Sequence, residues 1–390
     1  MKNYASFART AIGFSHISSN KPCQDYSVTY EDEVASVIVV SDGHGSDNFT
    51  RSHLGSQFAC EAAVEAVKDF LFDPEPVQNE DTRDQAIFQL YRDILSGWKI
   101  RVAEDADCNP FTEAEVQPVS EKYRQRYLNG QNVEHAYGCT LILVIVTRDF
   151  CLAIRNGDGQ CVMVDETGDF STPIPWNDNC QFNVTTSLCD PDALVHFRSF
   201  YTTRLPAAVF AGSDGVDDSY TSLEELYHLY QGLCLDALED GSEATAELVG
   251  QLIPEISRRG SADDISIAAL LDLSKLEKVR IPIESALEQY QLQLAQARKE
   301  QKKRILIRDI KVAEKKKSKI LDQQREVLQK IQAYKDSRSD FLAQIDIFTQ
   351  KANACSQQIH QLSEDEKQLA DLINGADSEI ARLMEELSAL

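Results

Sequence analysis

The 390-residue chain is short of three things, and each shortage removes a class of protein. It has no Cys-x-x-Cys pair; its ten cysteines, at 23, 60, 108, 139, 151, 161, 180, 189, 234 and 355, follow no regular framework. That argues against a zinc site. Cys139 and Cys151 lie inside apolar runs, so the set reads as reduced, buried thiols of a cytosolic protein. It has no long apolar run: Cys139 to Val146 is far short of a membrane span, and the N-terminus lacks a signal peptide's apolar core. A soluble, cytoplasmic protein is expected. It is short of positive charge where most of its acids lie. Residues 1–275 hold 19 Lys and Arg against 44 Asp and Glu, a balance of −25 within an overall net charge of −24. Phosphate backbones reward the opposite sign, so no nucleic-acid partner is expected. An anionic phosphoryl substrate would need cations brought to the site.

Residues 276–390 differ, with 20 basic against 19 acidic side chains and no proline after Pro282. Two kinds of structure therefore join near residue 275, and the expected domains are 1–275 and 276–390. The 43% hydrophobic content can fill a core.

What is present centres on Val37-Ile38-Val39-Val40-Ser41-Asp42-Gly43-His44-Gly45-Ser46. Four β-branched residues predict a short buried strand, and Asp42 follows where the chain must turn. Gly43 adds no side chain, so a cation held by Asp42 could also meet the backbone carbonyl beside it. A lone Asp-Gly is usually only a turn. The pattern recurs, however: Cys151–Ile154 leads into Asn156-Gly157-Asp158-Gly159, and Ala207–Gly212 leads into Ser213-Asp214-Gly215. Asp263-Asp264 comes just before a fourth apolar run, Ile265–Leu270. In antiparallel sheets the end of one strand lies beside the start of its neighbour, so these acids can share an edge. Clustered carboxylates repel unless cations neutralise them, which points to a divalent site with oxygen ligands.

Around these landmarks, helices are expected over Ser46–Leu71 and about Thr82–Ala106, broken by Asp73-Pro74-Glu75-Pro76, with a short one near Glu121–Tyr127. Tyr137-Gly138-Cys139-Thr140 opens the most apolar strand, and Arg148-Asp149 is a hairpin turn into the Cys151 strand. Leu223–Leu235 and Ser242–Leu252 read as helices, whereas residues 163–206 are strand and loop without a clear order. The fold class is α+β: a two-sheet antiparallel β-sandwich flanked by helices, followed by an all-α coiled-coil tail.

Taken in order, Gln24-Asp25, Asp42-Gly43-His44-Gly45, Gly138-Cys139-Thr140, Gly157-Asp158-Gly159, Ser213-Asp214-Gly215 with Asp218, and Asp263-Asp264-Ile265-Ser266 resemble the landmarks of the metal-dependent protein phosphatases of the 2C type, the PPM family. The resemblance covers residues 5 to 272, and the run Asn183-Val184-Thr185-Thr186-Ser187-Leu188 is similar to a bacterial branch. It implies a two-metal centre at one edge of the sandwich, holding Mg²⁺ or Mn²⁺. By the family's pattern Asp42 would bridge both ions, Gly43 would offer its carbonyl, and Asp214 and Asp263 would complete one ion's shell. Asp25 would act through bound waters, and Asp158 matches the acid associated with a third ion. His44 matches the proposed general acid. Two departures stand out: the family's acid before Asp25 is Gln24, and the phosphate-holding arginine aligns with Asn20, for which His16 or Lys21 could substitute. Two divalent ions sharing a carboxylate can acidify a bridging water for in-line attack on a phosphomonoester, without a Ser or Cys nucleophile.

From Leu306 to Leu390, 25 positions keep 4-3 spacing, and only Lys317, Gln324, Arg338 and Glu366 among them are not apolar. That is a coiled-coil seam. An earlier seam, Ile283, Leu287, Tyr290, Leu294 and Ala297, is out of phase by two residues, and Arg298–Lys319 holds eleven basic and three acidic residues. The basic run reads as a solvated face. The seam fits homo-oligomerisation, a partner protein, or a return of the chain near Asp336-Ser337-Arg338-Ser339 or Asn374-Gly375; self-association is the expectation carried forward. Two functions compete: a signalling phosphatase acting on phosphorylated serine or threonine of proteins, and a catalytically weak phosphatase-like scaffold or sensor working through the tail. Retention of Asp42, Asp158, Asp214 and Asp263 favours the first, and Gln24 and Asn20 favour the second.

Overall fold

The computed structural model describes residues 4–180, 185–342 and 349–388, without the side chains of 338–342 and 349–352. Among the described residues, ten strands form two antiparallel five-stranded sheets. One has the order β1 (Ala5–Ala11), β10 (Ile265–Leu271), β9 (Ala208–Gly212), β6 (Gln160–Val164), β7 (Phe170–Ser171). The other runs β2 (Tyr26–Glu31), β3 (Ser36–Ser41), β4 (Leu141–Val146), β5 (Cys151–Asn156), β8 (Arg198–Thr202). The helices, in chain order, are α1 (Phe14–Ser19), α2 (Ser52–Phe72), α3 (Glu75–Gln78), α4 (Arg83–Cys108), α5 (Glu121–Leu128), α6 (Ala193–His196), α7 (Asp214–Asp217), α8 (Leu223–Glu239), α9 (Ser242–Arg259), α10 (Leu273–Lys278), α11 (Arg280–Leu342) and α12 (Thr349–Ser388).

The central strands read as unbroken apolar runs because both of their faces are buried. Ile38, Val40, Ile142 and Val144 meet Val209, Ala211, Ala268 and Leu270 between the sheets. The alternate residues Val39, Leu143 and Ile145 pack outward against Ala59, Ala63, Ile94 and Trp98 of α2 and α4. On the other side Phe210, Ile267 and Ala269 pack against Leu226, Tyr230, Val249 and Ile253 of α8 and α9. Each fully buried Val, Ile or Leu contributes roughly 1.5–3 kcal/mol, so both registers are strongly specified. The result is a helix–sheet–sheet–helix sandwich, the expected α+β class. Thr147 Oγ1 accepts from the N–H groups of Asp149 and Phe150, both at 3.1 Å, and closes the β4–β5 hairpin at the expected turn. All ten cysteines are free thiols.

Two sequence expectations shift. Helix α2 starts at Ser52 instead of Ser46, because His44 N–H and Arg51 N–H are committed to the carbonyls of Gly138 and Ala136 and hold residues 42–51 as a loop. The apolar content of 276–288 belongs to the sandwich: Leu276, Val279 and Ile283 are buried in the core under α8 and α9, and the compact unit runs from Met1 to Glu288.

The second unit is Gln289–Leu390. Within it, Leu306 and Ile310 of α11 pack on Leu383 and Leu387 of α12, and Lys317 pairs with Asp377, so the two helices run antiparallel. Seam positions 306, 310, 313, 320, 331, 376 and 383 are buried, and the others that are described are half-buried. At these positions the seam closes on a returning segment of the same chain, one of the alternatives the periodicity left open beside the self-association expected. Seam positions 345, 348 and 390, and the run's Asn183 and Val184, lie outside the described residues, as do the side chains at 338, 341 and 352. No helix among those described is long and apolar enough to cross a membrane.

Candidate active site

The acids come together at one end of the sandwich, two from each sheet. Asp42 follows β3 and Asp158 follows β5; Asp214 follows β9 and Asp263 precedes β10. All four line one cavity of about 620 Å³ with Gly43, His44, Phe49, Thr140, Trp176 and Asp217.

Hydrogen bonds beyond the strand ends fix each acid. Asp42 N–H donates to Thr140 Oγ1 at 3.1 Å, and Thr140 N–H donates to Asp42 O at 2.8 Å, so the β3–β4 ladder is prolonged by one rung. Gly43 N–H donates to Gln24 O at 3.1 Å. A Cβ on Gly43 would sit 2.6 Å from the carbonyl oxygens of Gln24 and Ser52, so only glycine lets this turn approach both segments. Ser213 and Ser266 exchange bonds across the β9–β10 end, with Ser213 N–H to Ser266 O at 3.1 Å and Ser266 N–H to Ser213 Oγ at 3.0 Å. Asp214 then opens α7, and Asp217 and Asp218 lie three and four positions on, which turns them to the same cavity.

Crowding in a water-poor site penalises the ionised acids. Burial, then the charges of Asp214 and Asp25, pushes Asp42 well above the usual carboxylate range. Burial does the same to Asp25, joined by the charges of Asp264 and Asp214. Asp214 is raised to about 6 and Asp217 to about 8, burial being the largest cause for both. Asp158 and Asp218 shift upward as well, again mainly through burial. His44 moves the other way, to about 4, because burial disfavours the imidazolium and His135 lies nearby.

This donor set fits divalent ions. Among the described residues, buried oxygens without a hydrogen-bond partner include Asp25 Oδ2, Asp158 Oδ1, Asp217 Oδ1 and Gln24 Oε1. Buried acceptors without donors are costly, and hard oxygen-seeking cations satisfy them.

None of the remaining sequence candidates lines this cavity. Asp25 lies behind Asp42 and Asp214, close enough to raise both Asp42 and its own ionisation cost. His16 is buried and gives Nδ1 to Asp264 Oδ2 at 2.9 Å, with Nε2 3.9 Å from Asp263. Asn20 caps α1 in the left-handed region at φ 55° and is exposed. Lys21 donates Nζ to Gly45 O at 2.9 Å, beside the His44 loop. Gln24 uses its amide: Nε2 donates to Ser52 Oγ at 2.7 Å and to His44 O at 3.2 Å.

Two roles escaped the sequence. Asp264 is no ligand in waiting, since its oxygens already accept from Gly13 N–H at 2.6 Å, Gln24 N–H at 2.5 Å and His16; it pins residues 13–24 to the sheet end. Asp217 lines the cavity, and its one-turn spacing from Asp214 was the available signal.

The sequence profile of the family described as Protein phosphatase 2C matches residues 12–253, and the chain belongs to that family. No curated relative matches the chain. Among solved structures it is similar to a bacterial serine phosphatase at 14% identity, covering 68% of this chain and 97% of that one with a TM-score of 0.44. It is also similar to PppA of Pseudomonas aeruginosa, at 17% identity, 69% and 98% coverage and a TM-score of 0.42. A third is the catalytic domain of the serine threonine protein phosphatase PstP, at 13% identity, 68% and 97% coverage and a TM-score of 0.41.

Proposed function

We propose that this chain is a Mg²⁺- or Mn²⁺-dependent phosphatase acting on phosphoserine and phosphothreonine of proteins, with two ions held at the sandwich end and a third near Asp158. The observation that carries this reading is the convergence of Asp42, Asp158, Asp214, Asp217, Asp218 and Asp263 on one cavity. Asp42, the Gly43 carbonyl, Asp214 and Asp263 would hold the ions, with Asp25 behind them. When bound, such ions supply positive charge for the phosphoryl oxygens and an acidified water as nucleophile.

The chain's own groups do the rest. Among the described residues no Lys or Arg lines the cavity, so the phosphate's charge is met by the ions; Arg155 lies behind the cavity wall, 4.9 Å over the Trp176 ring, and Lys21 holds Gly45 O at the rim. Burial favours the neutral form of His44, and the negative charge of a phosphomonoester beside it favours the protonated one. It then serves as acid to the leaving oxygen. Among the described residues the cavity's thiol bonds to no base: Cys180 Sγ meets the hydroxyls of Thr185 and Thr186, at 3.9 and 3.7 Å. That favours water over a covalent nucleophile.

The tail is the chain's docking element, and the protein's place is cytoplasmic signalling. The second reading, a weak phosphatase-like scaffold, draws on Gln24, whose amide stands where the family pattern has an acid. Phosphate release from phosphoserine and phosphothreonine peptides, measured before EDTA, after it, and after Mn²⁺ is restored, decides between them. Release that EDTA abolishes and Mn²⁺ restores supports the enzyme; no release under any condition supports the scaffold.

A further inference from the structure

His44 has no orienting hydrogen bond. Catalytic histidines are ordinarily aimed by a partner on the second ring nitrogen, but among the described residues neither ring nitrogen of His44 has a hydrogen-bond partner. The ring is aimed by packing. Its edge meets Phe49, with centroids 4.7 Å apart and planes at 66°, and a Cβ on Gly138 would come within 2.8 Å of His44 Cδ2 and 2.7 Å of Phe49 Cδ1. Phe49 in turn stacks on His135 at 4.6 Å and 16°, and His135 stacks on Tyr123 at 4.0 Å and 17°.

The stack is anchored at its far end. Tyr127 hydroxyl donates to Asn48 O at 2.8 Å, so it accepts from His135 Nδ1 at 2.6 Å, which fixes the neutral tautomer carrying the proton on Nδ1. Ser120 N–H holds Asn48 Oδ1 at 3.0 Å. Residues 120–138 thus grip the loop that carries His44.

We infer that Phe49 and His135 are positioning residues that set the reach of His44 to the leaving oxygen, an inference that rests on His44 being the proton donor proposed above. In the step served, the water oxygen bonds to phosphorus as the bond from phosphorus to serine Oγ breaks. The His44 ring proton goes to that Oγ, and a proton from the attacking water returns the ring to its starting state through solvent. Misplacing the donor slows only substrates that need protonation on departure.

The test compares a phosphoserine peptide with p-nitrophenyl phosphate, whose phenolate leaves unprotonated, in the full chain with Mn²⁺. His44→Gln should lower kcat on the peptide about 100-fold, the ordinary worth of general acid catalysis, and affect the aryl ester far less. His135→Leu should lower peptide kcat about 10-fold, within the range for a small misplacement, with KM and the half-saturating Mn²⁺ concentration unchanged. His135→Phe keeps the stack without the Tyr127 bond and should recover most of that loss. Gly138→Ala, pressing on both rings from the other side, should reproduce the leaving-group dependence if His135→Leu folds poorly. Equal losses on both substrates for His135→Leu and Gly138→Ala, or no loss beside a selective His44→Gln effect, overturn the positioning role. A His44→Gln that is not selective overturns the acid assignment itself, and the inference with it.

Discussion

Acids crowded at one sandwich end set how the folded protein responds to pH. Asp214 and Asp217 titrate at about 6 and about 8, above the ordinary 3.8. Between pH 4 and 8 the folded chain therefore holds protons that the unfolded chain has released, so stability without divalent ions falls as pH rises through that window. Ions favour the ionised acids, so saturating Mn²⁺ should raise Tm more at pH 8 than at pH 5.5. Calorimetry giving the same rise at both would show that the shifted acids do not meet the ion. By the same reasoning Asp214→Asn should stabilise the EDTA-treated protein at pH 8 by on the order of 1 kcal/mol for each pKa unit relieved, read as a higher Tm, while removing the Mn²⁺ response. Gln24→Glu loses the donor to His44 O and sets a carboxylate against a carbonyl. It should cost about 1–3 kcal/mol in EDTA, read as a lower Tm that Mn²⁺ restores by more than in the unaltered protein; an unchanged Tm would mean that the amide bond to His44 contributes nothing. The acids were legible because an acid at the end of a short apolar run, next to glycine after Ile154 and Gly212 as after Val40, marks a strand end, and Asp263 stands just before one. Phe49 and His135 were not, because ring stacking between residues 86 positions apart leaves no local pattern.

Among the elements, those buried on both faces were the legible ones. β3, β4, β5, β9 and β10 announce themselves as apolar runs, whereas β1, β2 and β8 have mostly half-buried side chains at or near sheet edges, and their mixed residues carry no period. Residues 107–136 are polar and irregular, so no apolar period marks how they are ordered. Their order comes from Arg51, which sends two bonds to Glu115 at 2.6 and 2.9 Å, one to Tyr137 at 2.8 Å and one to Asp105 at 3.2 Å, and lies 3.8 Å over the Phe111 ring. A buried cation with that many partners is more costly to remove than to have omitted. Arg51→Ala should destabilise the fold by about 2–4 kcal/mol, below the full penalty of a buried pair because Glu115 reaches solvent, as chemical denaturation would measure. A loss under about 0.5 kcal/mol, the scatter of ordinary surface changes, would show the segment is held by its apolar contacts alone.

For the whole molecule, periodicity gave the seam but not its partner, since a returning helix and a second chain bury the same positions. Leu306 and Ile310 on Leu383 show the return. The full chain should therefore be monomeric by light scattering at micromolar concentration, and Ile310→Cys with Leu383→Cys should cross-link within one chain; a cross-linked dimer would contradict the hairpin. What the molecule does rests on the acid cluster at the sandwich end. The most direct test is phosphate release from a phosphoserine peptide by the unaltered chain and by Asp42→Asn, side by side across a Mn²⁺ titration. The account predicts saturable, Mn²⁺-dependent release by the first and none by the second at any concentration. Equal release by both would contradict it.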